Sequence, residues 1–240
     1  MAGTAPHVTL GGMMMKAINS ATLIVLMTLW SSSTCSGATQ WVEGQQYFLI
    51  VPSQPTSVPR GKVEVTEVFS YGCPACNEFV PVMHRLRASL PANAIISYLP
   101  ASFNPSEDWP MLQRAYITAQ VLGVADRAHD AVFKAIWNTG ELAIIDPNTR
   151  RIKDRLPTIE DAGKFYNRTT GVSVQQFIDT AKSFSVDTRM RQADEMLMRY
   201  RVSSTPTIIV NGKYRLEAGS AGGYNELIEL VKWLVAKESI

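Results

Sequence analysis

A β-branched run, Val63-Glu64-Val65-Thr66-Glu67-Val68-Phe69, passes through Ser70-Tyr71-Gly72 straight into Cys73-Pro74-Ala75-Cys76. The run predicts a strand bounded by turn residues. From Cys73 onward the period changes: Phe79, Met83, Leu86 and Leu90 recur at spacings of four, three and four, the apolar stripe of a helix. Pro74 falls in the first turn, where proline is tolerated, whereas Pro81 lies inside the helix and predicts a kink. Residues 94–99 read as a second strand, so a helical crossover returns the chain parallel to the first, in a right-handed β-α-β unit. A thiol pair is thereby fixed at a strand-to-helix corner. On a period of two, Glu67 shares a face with Val63, Val65 and Phe69, which aims an acid at the apolar side; the alternative is an acid reaching water at a strand end.

The rest of the chain divides around this unit. Residues 46–51 read as a short strand, joined to the first by a Pro/Ser-rich connection over 52–61. Helical periodicity returns over 111–122, 125–137, 159–166, 174–181 and 186–200, with Ser173 and Gln176 spaced as a capping box and 140–157 as a long loop. The basic cluster within that loop, Arg150, Arg151, Lys153 and Arg155, reads as a solvated face. After residue 200, two short apolar runs flank Asn211-Gly212, the signature of a two-residue hairpin. An amphipathic helix over 224–237 carries Leu227, Leu230, Val231 and Leu234 on one stripe. This predicts an α/β fold with a mixed central sheet, in which 39–104 and 201–240 form one domain and 105–200 is a helical insertion.

Residues 1–38 contain no acid and one base, Lys16, followed by a mostly apolar run that ends in serines. This is a signal segment in length and flanks, with Ser36 and Ala38 at the −3 and −1 places of a cleavage site. Lipid attachment at Cys35 and an uncleaved anchor are the alternatives, and Met13 to Met15 offer a second start. Export places the other two thiols in a compartment where disulfides persist.

Composition narrows the class without naming a partner. With 46% hydrophobic and 18% charged residues and a net charge of +2, the chain is an ordinary globule, neither disordered nor a nucleic-acid binder. Three cysteines are too few for a disulfide framework. Haem attachment requires His after the second Cys of the pair, and Asn77 stands there. A zinc site has only His84 and His129 to add, and His84 lies ~16 Å along the helix from Cys73 at ~1.5 Å per residue. A disulfide closing so small a loop contributes little chain-entropy stabilisation.

Redox chemistry has a physical basis instead. Unpaired N–H groups and the dipole at a helix N-terminus favour a thiolate, so Cys73 is the expected nucleophile and exposed partner, with Cys76 shielded one turn in. A stabilised thiolate favours the reduced form and makes the oxidised pair an oxidant. A semi-buried Glu67 is positioned to relay the proton of Cys76. No metal and no cofactor are called for.

The run Phe69-Ser70-Tyr71-Gly72-Cys73-Pro74-Ala75-Cys76, the segment Val202-Ser203-Ser204-Thr205-Pro206-Thr207 and the Asn-Gly hairpin resemble the DsbA family of thioredoxin-fold disulfide oxidoreductases. The resemblance spans essentially the whole mature chain, helical insertion included. It implies that Cys73 is the nucleophile, Cys76 the buried thiol and Glu67 the acid beneath the disulfide. It further implies that Pro206 is a cis-proline beside the pair, and that Thr205 offers its backbone to an extended substrate. Two departures matter. Pro74-Ala75 stands where studied members have Pro-His, so a less oxidising pair is expected, and residues 95–99 supply no base near Glu67. The implied function is a monomeric, periplasmic enzyme that donates disulfides to newly exported or unfolded proteins with free thiols. A DsbB-like membrane quinone reductase would recharge it. An exported reductase or isomerase, or a peptide-binding chaperone with incidental thiols, are the alternatives.

Overall fold

The strand run predicted at 63–69 is an interior strand of the sheet, one place in from its edge. The computed structural model describes residues 41–239, so the signal segment and Cys35 lie outside the described residues. Strand β2 (Val63–Phe69) is buried along its whole length, pairing parallel with β3 (Ala94–Pro100) and antiparallel with β4 (Thr207–Val210). Strand β5 (Tyr214–Leu216) continues the sheet and β1 (Phe48–Leu49) closes it, giving the order β1-β5-β4-β2-β3. Strand β1 is shorter than the residue pattern predicts, because only Phe48 and Leu49 find partners, Arg215 and Tyr214 on β5.

Helix α1 (Pro74–Ser89) joins β2 to the parallel β3. Five further helices lie between β3 and β4: α2 (Trp109–Val121), α3 (Ala125–Trp137), α4 (Ile159–Thr170), α5 (Val174–Ala181) and α6 (Phe184–Arg199). Their spans follow the apolar periodicity within a few residues. The reciprocal capping box is found at α4, where Thr158 Oγ1 accepts from the Asp161 N–H and the Asp161 carboxylate accepts from the Thr158 N–H. At α5 only half of the predicted box forms, the Gln176 N–H donating to Ser173 Oγ at 3.4 Å. A short α7 (Ala218–Ala221), too brief to show a period, precedes α8 (Tyr224–Glu238).

The hairpin between β4 and β5 turns through Asn211 and Gly212 at φ of 53° and 63°, the pair of left-handed conformations that a type I′ turn requires. The Gln54 N–H donates to the Gly212 carbonyl at 2.9 Å, which holds the 52–61 connection against the hairpin so closely that a Cβ on Gly212 would meet the Gln54 carbonyl oxygen. The core has a part on each side of the sheet. Val63 and Val65 pack with Phe79, Leu86, Leu230 and Leu234 of α1 and α8, while Val68 and Ile209 pack with Leu197 and Tyr200. A third part joins Phe69, Tyr71 and both cysteines to α2 and α3. The thiols therefore sit at the seam between sheet and inserted helices.

Candidate active site

The corner after β2 positions both thiols of the site. Cys73 is the N-cap of α1, with extended backbone, and Pro74 occupies the first helical position, where its missing N–H costs nothing. The Cys73 N–H donates to the Ser70 carbonyl at 3.1 Å, and the Cys76 N–H donates to Cys73 Sγ at 3.4 Å. A sulfur thus takes the place that a serine or aspartate oxygen holds in an ordinary cap. From the other side the Thr205 carbonyl accepts from Cys73 Sγ at 3.4 Å, and the Thr205–Pro206 peptide bond is cis. The structure thus brings Cys73, Cys76, Thr205 and Pro206 to one place from positions over 130 residues apart in the chain.

Burial corrects one expectation. Cys76 is fully enclosed as predicted, but Cys73 is only 5% exposed, because the Thr205 segment lies against the sulfur that the helix end alone would leave open. The Cys73 thiol is lowered to about 6. The Cys76 thiol acts first by hydrogen bonding to it; burial opposes, and Thr205 and the N–H groups of Cys76 and Ala75 add to the lowering. Cys76 is driven strongly upward, by burial first and then by its bond to Cys73 and the charges of Cys73 and Glu67.

Glu67 is more enclosed than the semi-buried acid anticipated from the strand pattern. It is 2% exposed, and burial, followed by the charges of Cys73 and Asp130, raises its carboxyl to about 8. The parallel register sets Tyr98 of β3 opposite it. Strand β3 carries no basic residue, and Arg87 of α1 donates to Tyr98 Oη at 3.2 Å. That cation reaches Tyr98 from the helix, and the groups that shift Glu67 include no cation.

Sequence reasoning missed three aromatic supports. Trp109 packs so closely on Gly72 that a Cβ there would fall 2.5 Å from its Nε1, and the same nitrogen donates to Glu107 at 3.1 Å. Trp137 Nε1 donates to the Tyr71 carbonyl at 2.9 Å. His129, buried among Phe69, Tyr71, Tyr98 and Tyr116, shares a hydrogen bond of 3.1 Å between Nδ1 and the Tyr71 hydroxyl. The glycine directly before Cys73 was the available signal for a close approach; its partner, far along the chain, left none.

Comparison with known proteins agrees with this geometry. The family model described as Thioredoxin matches residues 58–230. The thiol:disulfide interchange protein DsbA of Pseudomonas aeruginosa is 34% identical over 201 residues, 84% of this chain and 87% of that protein. The chain belongs to the DsbA family. A crystal structure of P. aeruginosa DsbA superposes with a TM-score of 0.68 at 34% identity, covering 82% of this chain and 94% of that one. The oxidoreductase DsbA from Xylella fastidiosa gives 0.70 at 30% identity, covering 82% and 97%. This DsbA-family chain has the thioredoxin fold and is a protein thiol:disulfide oxidoreductase.

Proposed function

We propose that the Cys73–Cys76 pair, when oxidised, donates its disulfide to polypeptides with free thiols. The observation that carries this reading is the asymmetry of the two sulfurs: Cys73 lowered to about 6 at the helix cap, Cys76 enclosed and raised. A substrate thiolate attacks Cys73 Sγ, the Cys73–Cys76 bond breaks, and its electron pair goes to Cys76 Sγ. Glu67, protonated at neutral pH, supplies the proton to Cys76. A second substrate thiolate then attacks the substrate sulfur of the mixed disulfide and expels Cys73 as a thiolate, leaving the substrate oxidised and the pair reduced. Low basicity makes Cys73 the better leaving group in that step.

Thr205 and Pro206 lie where an extended substrate backbone would pair beside the reacting sulfur. Pro74 and Ala75 tune the pair from within the first turn. Ala75 brings no positive charge to Cys73, which sets this pair below a histidine-bearing one in oxidising strength. The division into a thioredoxin-like part, 39–104 with 201–240, and a helical part, 105–200, gives the insertion the role of a cap over the thiols. The enzyme acts as a monomer in the periplasm on newly exported proteins, with a DsbB-like membrane quinone reductase restoring the disulfide.

Equilibration with glutathione redox buffers tests the direction of transfer. The expected outcome is a pair far more easily reduced than that of thioredoxin; a pair equally hard to reduce would assign a reductase instead. Full oxidative activity in cells of the double variant Cys73→Ser, Cys76→Ser would overturn the redox role altogether.

A further inference from the structure

A cavity of about 170 Å³ opens beside the Gly72–Cys73 corner, walled by the inserted helices and not by Thr205 or Pro206. Its wall is formed by Gly72, the residue adjoining Cys73, together with Ile136, Trp137, Ala143, Ile144 and Ile145 from the end of α3 and the loop after it. The wall is built and not incidental. Trp137 is fixed by its bond to the Tyr71 carbonyl, and Trp109 closes against Gly72 while holding Glu107, which also borders the cavity. Gly72 has no left-handed backbone to explain it, so its lack of a side chain serves this packing.

We infer that this cavity is a side-chain subsite: it takes one aromatic or large aliphatic side chain of the polypeptide joined to Cys73, from a residue close to the reacting cysteine. The inference rests on the reading that substrate thiols attack Cys73. Three observations select the occupant. The lining is mostly apolar, and apolar cavities of about 150 Å³ accept a benzene ring, so the volume suits one ring or branched chain. The wall residue Gly72 is one Cα step, about 3.8 Å, from Cys73, so a side chain lodged there belongs to whatever is covalently held at that sulfur. Glu107 at the border disfavours an acidic side chain. Backbone pairing at Thr205 would be indifferent to sequence, whereas this cavity adds a preference.

The experiment uses the full mature enzyme in its oxidised form and a set of short peptides, each with one cysteine flanked by Phe, Leu, Gly or Asp. The rate of Cys73 mixed-disulfide formation is measured for each and divided by the rate with glutathione. Phe and Leu peptides are expected to exceed the Gly peptide by about tenfold or more, the scale that one methylene in a hydrophobic pocket supplies, with Asp lowest. Ala143→Leu, which fills the cavity, is expected to bring the Phe-to-Gly ratio to near one. Ile145→Ala, which enlarges it, is expected to move the preference from Phe toward a Trp peptide. Equal wild-type rates for Phe and Gly peptides, or a wild-type ranking kept in both variants, would overturn the subsite. If Ala143→Leu does not fold, the Ile145→Ala ranking decides alone. Failure of the wild-type enzyme to oxidise glutathione and every peptide would instead refute thiol exchange at Cys73.

Discussion

Glu67 is a carboxyl kept from water beneath two thiols, and its free energy follows from where its proton sits. Burial first, then the Cys73 and Asp130 charges, raise it to about 8 from an ordinary value of 4.5. A carboxyl raised in the folded state binds more protons folded than unfolded between those values. Its contribution is therefore greatest below pH 4.5 and is lost as pH rises to about 8. Glu67→Gln is expected to be more stable than wild type by roughly 2–4 kcal/mol above pH 8 and similar near pH 4, read from urea unfolding at several pH values. On the proposed path the same variant lacks a proton donor for Cys76, so oxidation of a model thiol should slow by about 100-fold, the lower end of general acid–base effects. An unchanged rate would remove Glu67 from the proton path. Gly72 supplies a second residue-scale outcome. Gly72→Ala places a methyl 2.5 Å from Trp109 Nε1, and overpacking of this kind costs about 1–3 kcal/mol, with the Trp109–Glu107 bond disturbed in the same step. Unfolding by denaturant with tryptophan fluorescence reads both effects.

At the scale of elements, the N-terminus of α1 decides the redox character. The main causes of the lowering of Cys73 are the Cys76 thiol, Thr205 and backbone N–H groups, none of them a cation. Ala75→His places an imidazole in that first turn, where its protonated form opposes the thiolate charge. Cys73 is expected to titrate below 6, and the equilibrium with glutathione to shift about tenfold toward the reduced enzyme, one unit of pKa being a factor of ten. Thiolate absorbance and the buffer equilibrium check the two outcomes separately. Local elements were legible in the sequence because their causes are local. The β-branched run, the stripe after Cys73 and the Asn211-Gly212 pair each carry their own period or turn chemistry, and α3 and α5 fall on the spans that periodicity predicts. The thiol pair and Glu67 were equally legible, being a few residues apart on one strand-turn-helix unit. Tyr98, Trp109, Trp137 and His129 were not, because register and tertiary packing bring them to the site. Tyr98 meets Glu67 only once β2 and β3 pair in parallel, and Trp109 meets Gly72 only once the insertion closes. The near-complete burial of Cys73 has the same origin, since Thr205 reaches it from across the chain.

The whole molecule depends on the seam where the inserted helices meet the sheet, and His129 lies at its middle. Its ring packs edge-on against Phe69 and lies 4.2 Å from the Tyr98 ring, centroid to centroid, while Nδ1 bonds the Tyr71 hydroxyl. Tyr71 adjoins the Gly72–Cys73 corner, so one imidazole links α3, β3 and the loop that carries Cys73. Burial lowers His129 from 6.5 to about 4; the Asp130 charge opposes this, and Arg87 and His84 assist it. A basic group lowered in the folded state binds fewer protons folded than unfolded in that interval. Stability from this site is fully present above pH 6.5 and is lost as pH falls to about 4, by roughly 3 kcal/mol in all. Glu67 acts in the opposite sense as pH falls from about 8 to 4.5, so the two buried groups partly offset one another in mildly acidic solution. His129→Phe separates them. It removes the acid-sensitive proton but leaves the buried Tyr71 hydroxyl without this partner, which costs about 1–3 kcal/mol at neutral pH. The variant should therefore be less stable than wild type at pH 7 and lose less of its remaining stability between pH 6.5 and 4, where the Glu67 contribution alone is gained. Chemical unfolding across that range measures it, and a wild-type slope retained in His129→Phe would place the acid sensitivity elsewhere than in this seam.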